Sequence, residues 1–141
     1  MKIVIAGAGD VGSHLAKLLA SESHDIYLID RSEDNLNAVS SQIDVFTITG
    51  DAKSVEIMEH KLIKSCDLLI AVTSSEETNM LICILGKKLG AKRTIARIND
   101  VNIVKEGKEH FYHDLGIDTL ISPTHLATLE IKRLINQASF P

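Results

Sequence analysis

Tryptophan is absent from this chain, and two tyrosines and three phenylalanines are its only aromatic residues. There are two prolines and two cysteines in 141 residues. With so few aromatics, the core has to be aliphatic, built from Ile, Leu, Val and Ala, which is the usual filling of a parallel sheet buried on both faces. Cys66 and Cys83 form no CxxC pair and sit inside apolar stretches, so they read as reduced core thiols rather than a disulfide or metal site. A surplus of positive charge is missing too. The net charge of −4 argues against non-specific nucleic-acid binding, which needs clustered Lys and Arg to neutralise phosphates. No apolar run reaches the length of a membrane span, so direct membrane insertion is not expected. Met1 leads straight into the strand-like Lys2-Ile3-Val4-Ile5, leaving no room for a signal peptide.

The chain instead shows a strand-then-helix alternation. Ile3 to Ala6 is a short, wholly apolar run of the kind buried on both faces. A glycine loop follows, and then a helix from about Val11 to Ser21. Strands are expected at Asp25–Asp30, Val45–Thr49, Asp67–Thr73, Arg93–Ile98 and Ile117–Ile121. The intervening helices are expected from Ser32, over Ser54–Lys61, from Ser75 to Leu89, and from Asp100 to Leu115. A last helix opens at Ser122-Pro123, with Ser at the N-cap and Pro at the first helical position. Alternation of this kind predicts a Rossmann-type, doubly wound α/β fold. Its parallel six-stranded sheet would have the order 3-2-1-4-5-6, with a crevice between strands one and four.

Gly7-Ala8-Gly9-Asp10-Val11-Gly12 carries the GxGxxG pattern. It lies between a strand and a helix, the context that gives this otherwise weak motif its meaning. Gly7 permits the tight turn, Gly9 allows a pyrophosphate close to the backbone, and Gly12 lets the helix pack on the strand. The helix N-terminus then offers unpaired N–H groups and a positive dipole end to phosphates. Asp30 ends the second strand, 18 residues after Gly12, where a carboxylate accepts ribose hydroxyls and repels a 2′-phosphate. This points to NAD(H) or an adenine nucleotide such as ATP or ADP. The adjacent Arg31 softens the exclusion of NADP. Gly50-Asp51-Ala52 follows the third strand on the same sheet edge, where an adenine would lie. Thr73 and Ser74 close the fourth strand facing the crevice, and Arg97 closes the fifth, placed either to pair with phosphates or to form a surface ion pair. His110, His113 and Asp114 share a helical neighbourhood that reads as a solvated face. No nucleophile elbow or catalytic pair stands out. The run Met80 to Leu85 is apolar all round, and Leu126 to Ile135 carries more than one stripe. Both suggest contacts between subunits.

These residues also carry a family resemblance. Taken with Leu28-Ile29-Asp30, Gly50-Asp51-Ala52, Ala71-Val72-Thr73, Glu76-Glu77-Thr78-Asn79, Ile95-Ala96-Arg97 and Ile121-Ser122-Pro123, the glycine loop resembles the N-terminal lobe of Trk potassium-uptake regulatory subunits. This is the TrkA family, whose lobe is also called a KTN or RCK domain. The resemblance implies a nucleotide-binding domain over residues 1–122 and a crossover helix over 123–141, with the family's second lobe missing. It further implies a non-catalytic, cytoplasmic sensor of NAD(H) or adenine nucleotides. Such a sensor assembles as a homodimer or ring and gates a potassium transporter or channel at the inner face of the membrane. The alternative is the cofactor-binding half of an NAD-dependent oxidoreductase, which would need a substrate-holding domain that this chain lacks.

Overall fold

The computed structural model describes residues 1–59, 61–99 and 107–122, together with 133, 135 and 136. Six strands form one parallel sheet in the order β3-β2-β1-β4-β5-β6. The strands are β1 (Lys2–Ala6), β2 (Asp25–Asp30), β3 (Phe46–Thr49), β4 (Leu68–Ala71), β5 (Arg93–Arg97) and β6 (Thr119–Ile121). The helices are α1 (Asp10–Ala20), α2 (Glu33–Ser40), the short α3 (Val55–Met58) and α4 (Lys61–Lys64), α5 (Glu76–Lys88) and α6 (Glu109–Asp114). The expected architecture and strand order are therefore the observed ones. The single helix expected over Ser54–Lys61 is instead two one-turn pieces, and β4 ends at Ala71, before Val72 and Thr73. The expected cap at Asp100, and the start of the last helix at Pro123 with Leu126, Leu129 and Leu134, lie outside the described residues.

Side chains alternate across the sheet, which divides the core in two. Ile3 and Ile5 pack under α1 and α2 against Leu15, Leu19, Leu36 and Val39. Val4 and Ala6 pack on the opposite face against Met58, Ile63, Ile82 and Cys83 of α3, α4 and α5. Ile3 to Ala6 have no solvent exposure at all. Fully burying a side chain such as Ile or Leu stabilises the fold by about 1.5–3 kcal/mol, so the central strands anchor the domain. Local signals agree with this layering. Ser32 caps α2 by accepting from Asn35 N at 3.2 Å, and Ser75 caps α5 by accepting from Thr78 N at 3.2 Å.

The apolar run of α5 is used differently from expectation. Ile82 and Cys83 are buried in the domain's own core, Met80, Ile84 and Leu85 pack partly against it, and only Leu81 is left widely exposed. Ile135 is likewise fully buried, against the α1 face of the sheet. A sheet covered on both faces has room for more than one stripe of a helix. Much of the apolar surplus of α5 is therefore satisfied within the domain.

The far edge of the sheet is tied by polar contacts. Asp118, just before β6, accepts from Lys87 Nζ at 2.7 Å and from Thr94 N at 3.0 Å. His113 Nε2 lies 3.2 Å from the same carboxylate. The neighbouring His110 and Asp114 form an exposed pair at 3.6 Å. Among the described residues no group of His, Cys, Asp and Glu is arranged to hold a metal ion, and no helix is long and apolar enough to cross a membrane.

Burial pushes the Cys66 thiol up to about 11 and the Cys83 thiol up to about 12, from an ordinary value of 9.0. Both thiols stay protonated and shielded in the folded chain. We expect neither to react with a thiol-specific disulfide reagent at pH 8 until the protein is unfolded. Unfolded chains release these protons near pH 9 while folded chains keep them. Their contribution to stability is thus whole below pH 9 and is lost as the pH climbs towards 11 and 12. Denaturant melts across this range check the sign. Rapid labelling of the native protein, or no loss of stability above pH 9, would contradict it.

Candidate functional site

The order of the sheet reverses between β1 and β4. The chain leaves β1 towards α1 on one face and leaves β4 towards α5 on the other, so a crevice opens at the carboxyl ends of these strands. The three glycines at its base do different work. Gly7 has φ of +114°, and its N–H donates to Ile29 O at 2.8 Å. A Cβ there would sit 3.0 Å from Thr73 N. At Gly12 a Cβ would overlap the Gly7 carbonyl. Gly9 is unlike both. Its backbone, at φ −76° and ψ −158°, is open to any L-residue, and nothing lies within 4 Å of where its Cβ would be. Gly9 also stands at the N-cap of α1 without a side-chain cap, leaving the first-turn N–H groups of the helix for other acceptors.

Asp30 joins this loop to β2. One carboxylate oxygen accepts from Ala8 N at 2.7 Å and the other from Ser32 N at 2.7 Å. Each oxygen keeps a second lone pair. Gly50 N donates to the Asp30 carbonyl at 3.0 Å, bringing the β3 loop alongside. There Asp51 accepts from Lys53 N at 2.9 Å and lies 3.9 Å from Lys53 Nζ.

Asn79 organises the opposite wall. It is fully buried and binds both the N–H and the hydroxyl of Thr73, at 2.8 and 2.6 Å. Its amide donates to the carbonyls of Thr73 and Arg97, at 3.0 and 2.9 Å. Arg97 ends β5 and is half-buried, and its Nε is shielded from solvent with no hydrogen-bond partner among the described residues.

Most of the residues expected at the site line a single cleft of about 570 Å³. Gly7, Gly9, Asp10 and Val11 form its floor, Asp30 and Arg31 with Gly50, Asp51 and Ala52 one wall, and Thr73, Ser74 and Arg97 the other. Ala8 and Gly12 are not on the lining. Both are buried behind it, Ala8 bonded to Asp30 and Gly12 packed on Gly7. Ile29, Asn35, Lys53, Val72, Ser75, Thr78 and Ile82 also line the cleft and are not among the site residues expected from sequence. Asn79 was quoted only as part of a motif. Its signal was a polar side chain set beside the apolar Met80 to Leu85.

Residues 3–123 match the model of the TrkA-N domain. The chain belongs to the TrkA-N domain family. It is 39% identical over 137 residues to the Trk system potassium uptake protein TrkA of Haemophilus influenzae, covering 96% of this chain and 30% of that one. The TrkA homolog of Archaeoglobus fulgidus is also 39% identical, over 140 residues, with the same coverage. This chain thus spans about a third of the length of these relatives. Among solved structures, the TrkA-N domain of the inner membrane protein YbaL of Escherichia coli superimposes with a TM-score of 0.73 at 18% identity, covering 98% of this chain and 96% of that one. The GsuK channel bound to NAD superimposes with a TM-score of 0.68 at 15% identity, over 85% of this chain and 21% of that one.

Chemically, this TrkA-N cleft offers backbone and guanidinium donors to an anion on one side and carboxylates to hydroxyl groups on the other. The glycines allow these roles to be separated from packing. Replacing Gly12 by Ala in the TrkA-N loop should lower stability by about 3 kcal/mol or more, because the methyl meets a backbone carbonyl that cannot step aside. The same methyl at Gly9 should cost no more than about 1 kcal/mol. Thermal melts of the two variants decide. Equal destabilisation would show that Gly9 too is held by packing.

Proposed function

We propose that this chain is the nucleotide-sensing domain of a potassium-uptake regulator, binding NAD(H) or a related adenine nucleotide such as ATP or ADP in the glycine-loop cleft. The observation that carries the nucleotide reading is the open face of Gly9. Neither backbone strain nor a neighbour among the described residues calls for glycine there, whereas a ligand that approaches the backbone closely does. The unpartnered Arg97 Nε supports it, since a buried donor of this kind calls for an acceptor. On this reading Gly7, Gly9, Asp10 and Val11 form the pyrophosphate cradle, with Gly12 seating the helix behind it and Ala8 as its link to Asp30. Asp30 takes the ribose hydroxyls with Arg31 beside it. Gly50, Asp51 and Ala52 border the adenine, and Thr73, Ser74 and Arg97 border the phosphates.

The potassium role rests on the TrkA relatives, whose names place them in Trk potassium uptake. The neighbours in the fold include a channel bound to NAD, the same channel bound to ADP, and a Kef C-terminal domain bound to AMP. The domain works without turnover, in the cytoplasm, as part of a homodimer or ring docked on a membrane potassium transporter or channel. Ligand occupancy biases the packing of its copies through differential affinity for two arrangements.

Titration calorimetry with adenosine, AMP, ADP, NAD⁺ and NADP⁺ tests the site. Arg97→Ala should leave adenosine nearly unchanged and weaken ADP by about tenfold or more, the effect of one charge-assisted hydrogen bond. Asp30→Ala should weaken NAD⁺ by about 1–3 kcal/mol and narrow its advantage over NADP⁺. Losses at Arg97 that are equal for adenosine and ADP would assign it a purely structural role. Rubidium uptake by cells whose own copy carries Arg97→Ala tests the transport role. Unchanged uptake with a proven binding defect would separate this chain from potassium transport.

A further inference from the structure

We infer that Asn79 is a positioning residue for the phosphate end of the cleft, holding Thr73 and Arg97 in place and making α5 sensitive to phosphate binding. The inference rests on the nucleotide reading given above. The ladder between β4 and β5 runs only as far as Ala71 opposite Ala96. Beyond that point no rung of the β4–β5 ladder joins Thr73 to Arg97. Asn79 supplies the missing rung from a side chain. Its oxygen accepts from the N–H and hydroxyl of Thr73, and its amide donates to the carbonyls of Thr73 and Arg97. All four of its hydrogen-bonding valences are used, and it has no exposure to solvent.

Asparagine is a poor helix former, and this one sits in the second turn of α5, between Thr78 and Met80. A purely packed helix would place an aliphatic side chain there. The arrangement gives Arg97, which lines the cleft, a backbone held by Asn79, and its shielded Nε has no partner among the described residues. The first turn of α5 is tied to the same region by a second contact, Asn99 N donating to Glu76 Oε2 at 2.8 Å. A phosphate that draws on Arg97 therefore pulls on α5 through Asn79.

Two measurements on the full chain test this. In the first, Asn79→Ser, Arg97→Ala and the double variant are titrated with ADP and with adenosine. Asn79→Ser should weaken ADP by about tenfold while changing adenosine by less than about twofold, and the double variant should be no weaker for ADP than Arg97→Ala alone. Equal losses for both ligands, or losses that multiply in the double variant, would overturn the assignment. The second uses wild type, so it does not depend on a variant folding. The side-chain amide resonances of Asn79 should move when ADP saturates the protein and stay in place with adenosine. Resonances that do not move with saturating ADP would overturn the coupling. A wild type that binds ADP no better than adenosine would remove the nucleotide reading and this inference together.

Discussion

The turn from β1 into α1 passes so close to itself that one methyl group at position 12 would occupy the Gly7 carbonyl. Everything at the cleft depends on that approach. It sets α1 down on the sheet with its first turn at the carboxyl end of β1, next to the point where the strand order reverses. Were the helix pushed away, Leu15 and Leu19 would leave the core, and the loop would move off Asp30 and Thr73. Packing and site are here one constraint, because the backbone that lines the cleft is also the backbone that seats the helix.

Around that turn, polar side chains do what the strand ladder no longer does. Asp30 links the glycine loop to the start of α2 through two backbone N–H groups. Asn79 links the ends of β4 and β5. Both lie where strands stop pairing, and both satisfy backbone groups that would otherwise be left unpaired in a partly buried place. The walls are therefore held from behind, while the donors and acceptors that face the cleft, the Arg97 guanidinium and the second lone pairs of Asp30, stay available.

Much of this was legible beforehand. The apolar run Ile3 to Ala6, the alternating helices and strands, and the spacing from Gly12 to Asp30 were enough for the fold, the strand order and the location of the cleft, because each is a local pattern with few architectures that satisfy it. Asn79 was not legible as a clamp, because its partners Thr73 and Arg97 come from two different strands and meet it only in the folded chain. Ala8 shows the same limit. In the motif it counts as a loop residue beside the ligand, yet in space it is buried, and its N–H serves Asp30. How far the domain's own core takes up the apolar residues of α5 was not legible either, for a related reason. Periodicity counts how many faces of a helix are apolar, but not how many faces the fold covers.

The sequence by itself determined the kind of domain and the order of its strands. Glycine spacing, aliphatic strands and the acid at the end of β2 act through nearest neighbours, so their consequences can be read in order along the chain. Only the tertiary structure decided which residues face the cleft and which stand behind it, how the ends of β4 and β5 are held, and that Met80 to Leu85 is mostly absorbed by the domain's own core. Those outcomes depend on contacts between residues distant in sequence. The pairing of strands distant in sequence, and the covering of both faces of the sheet, create the contacts.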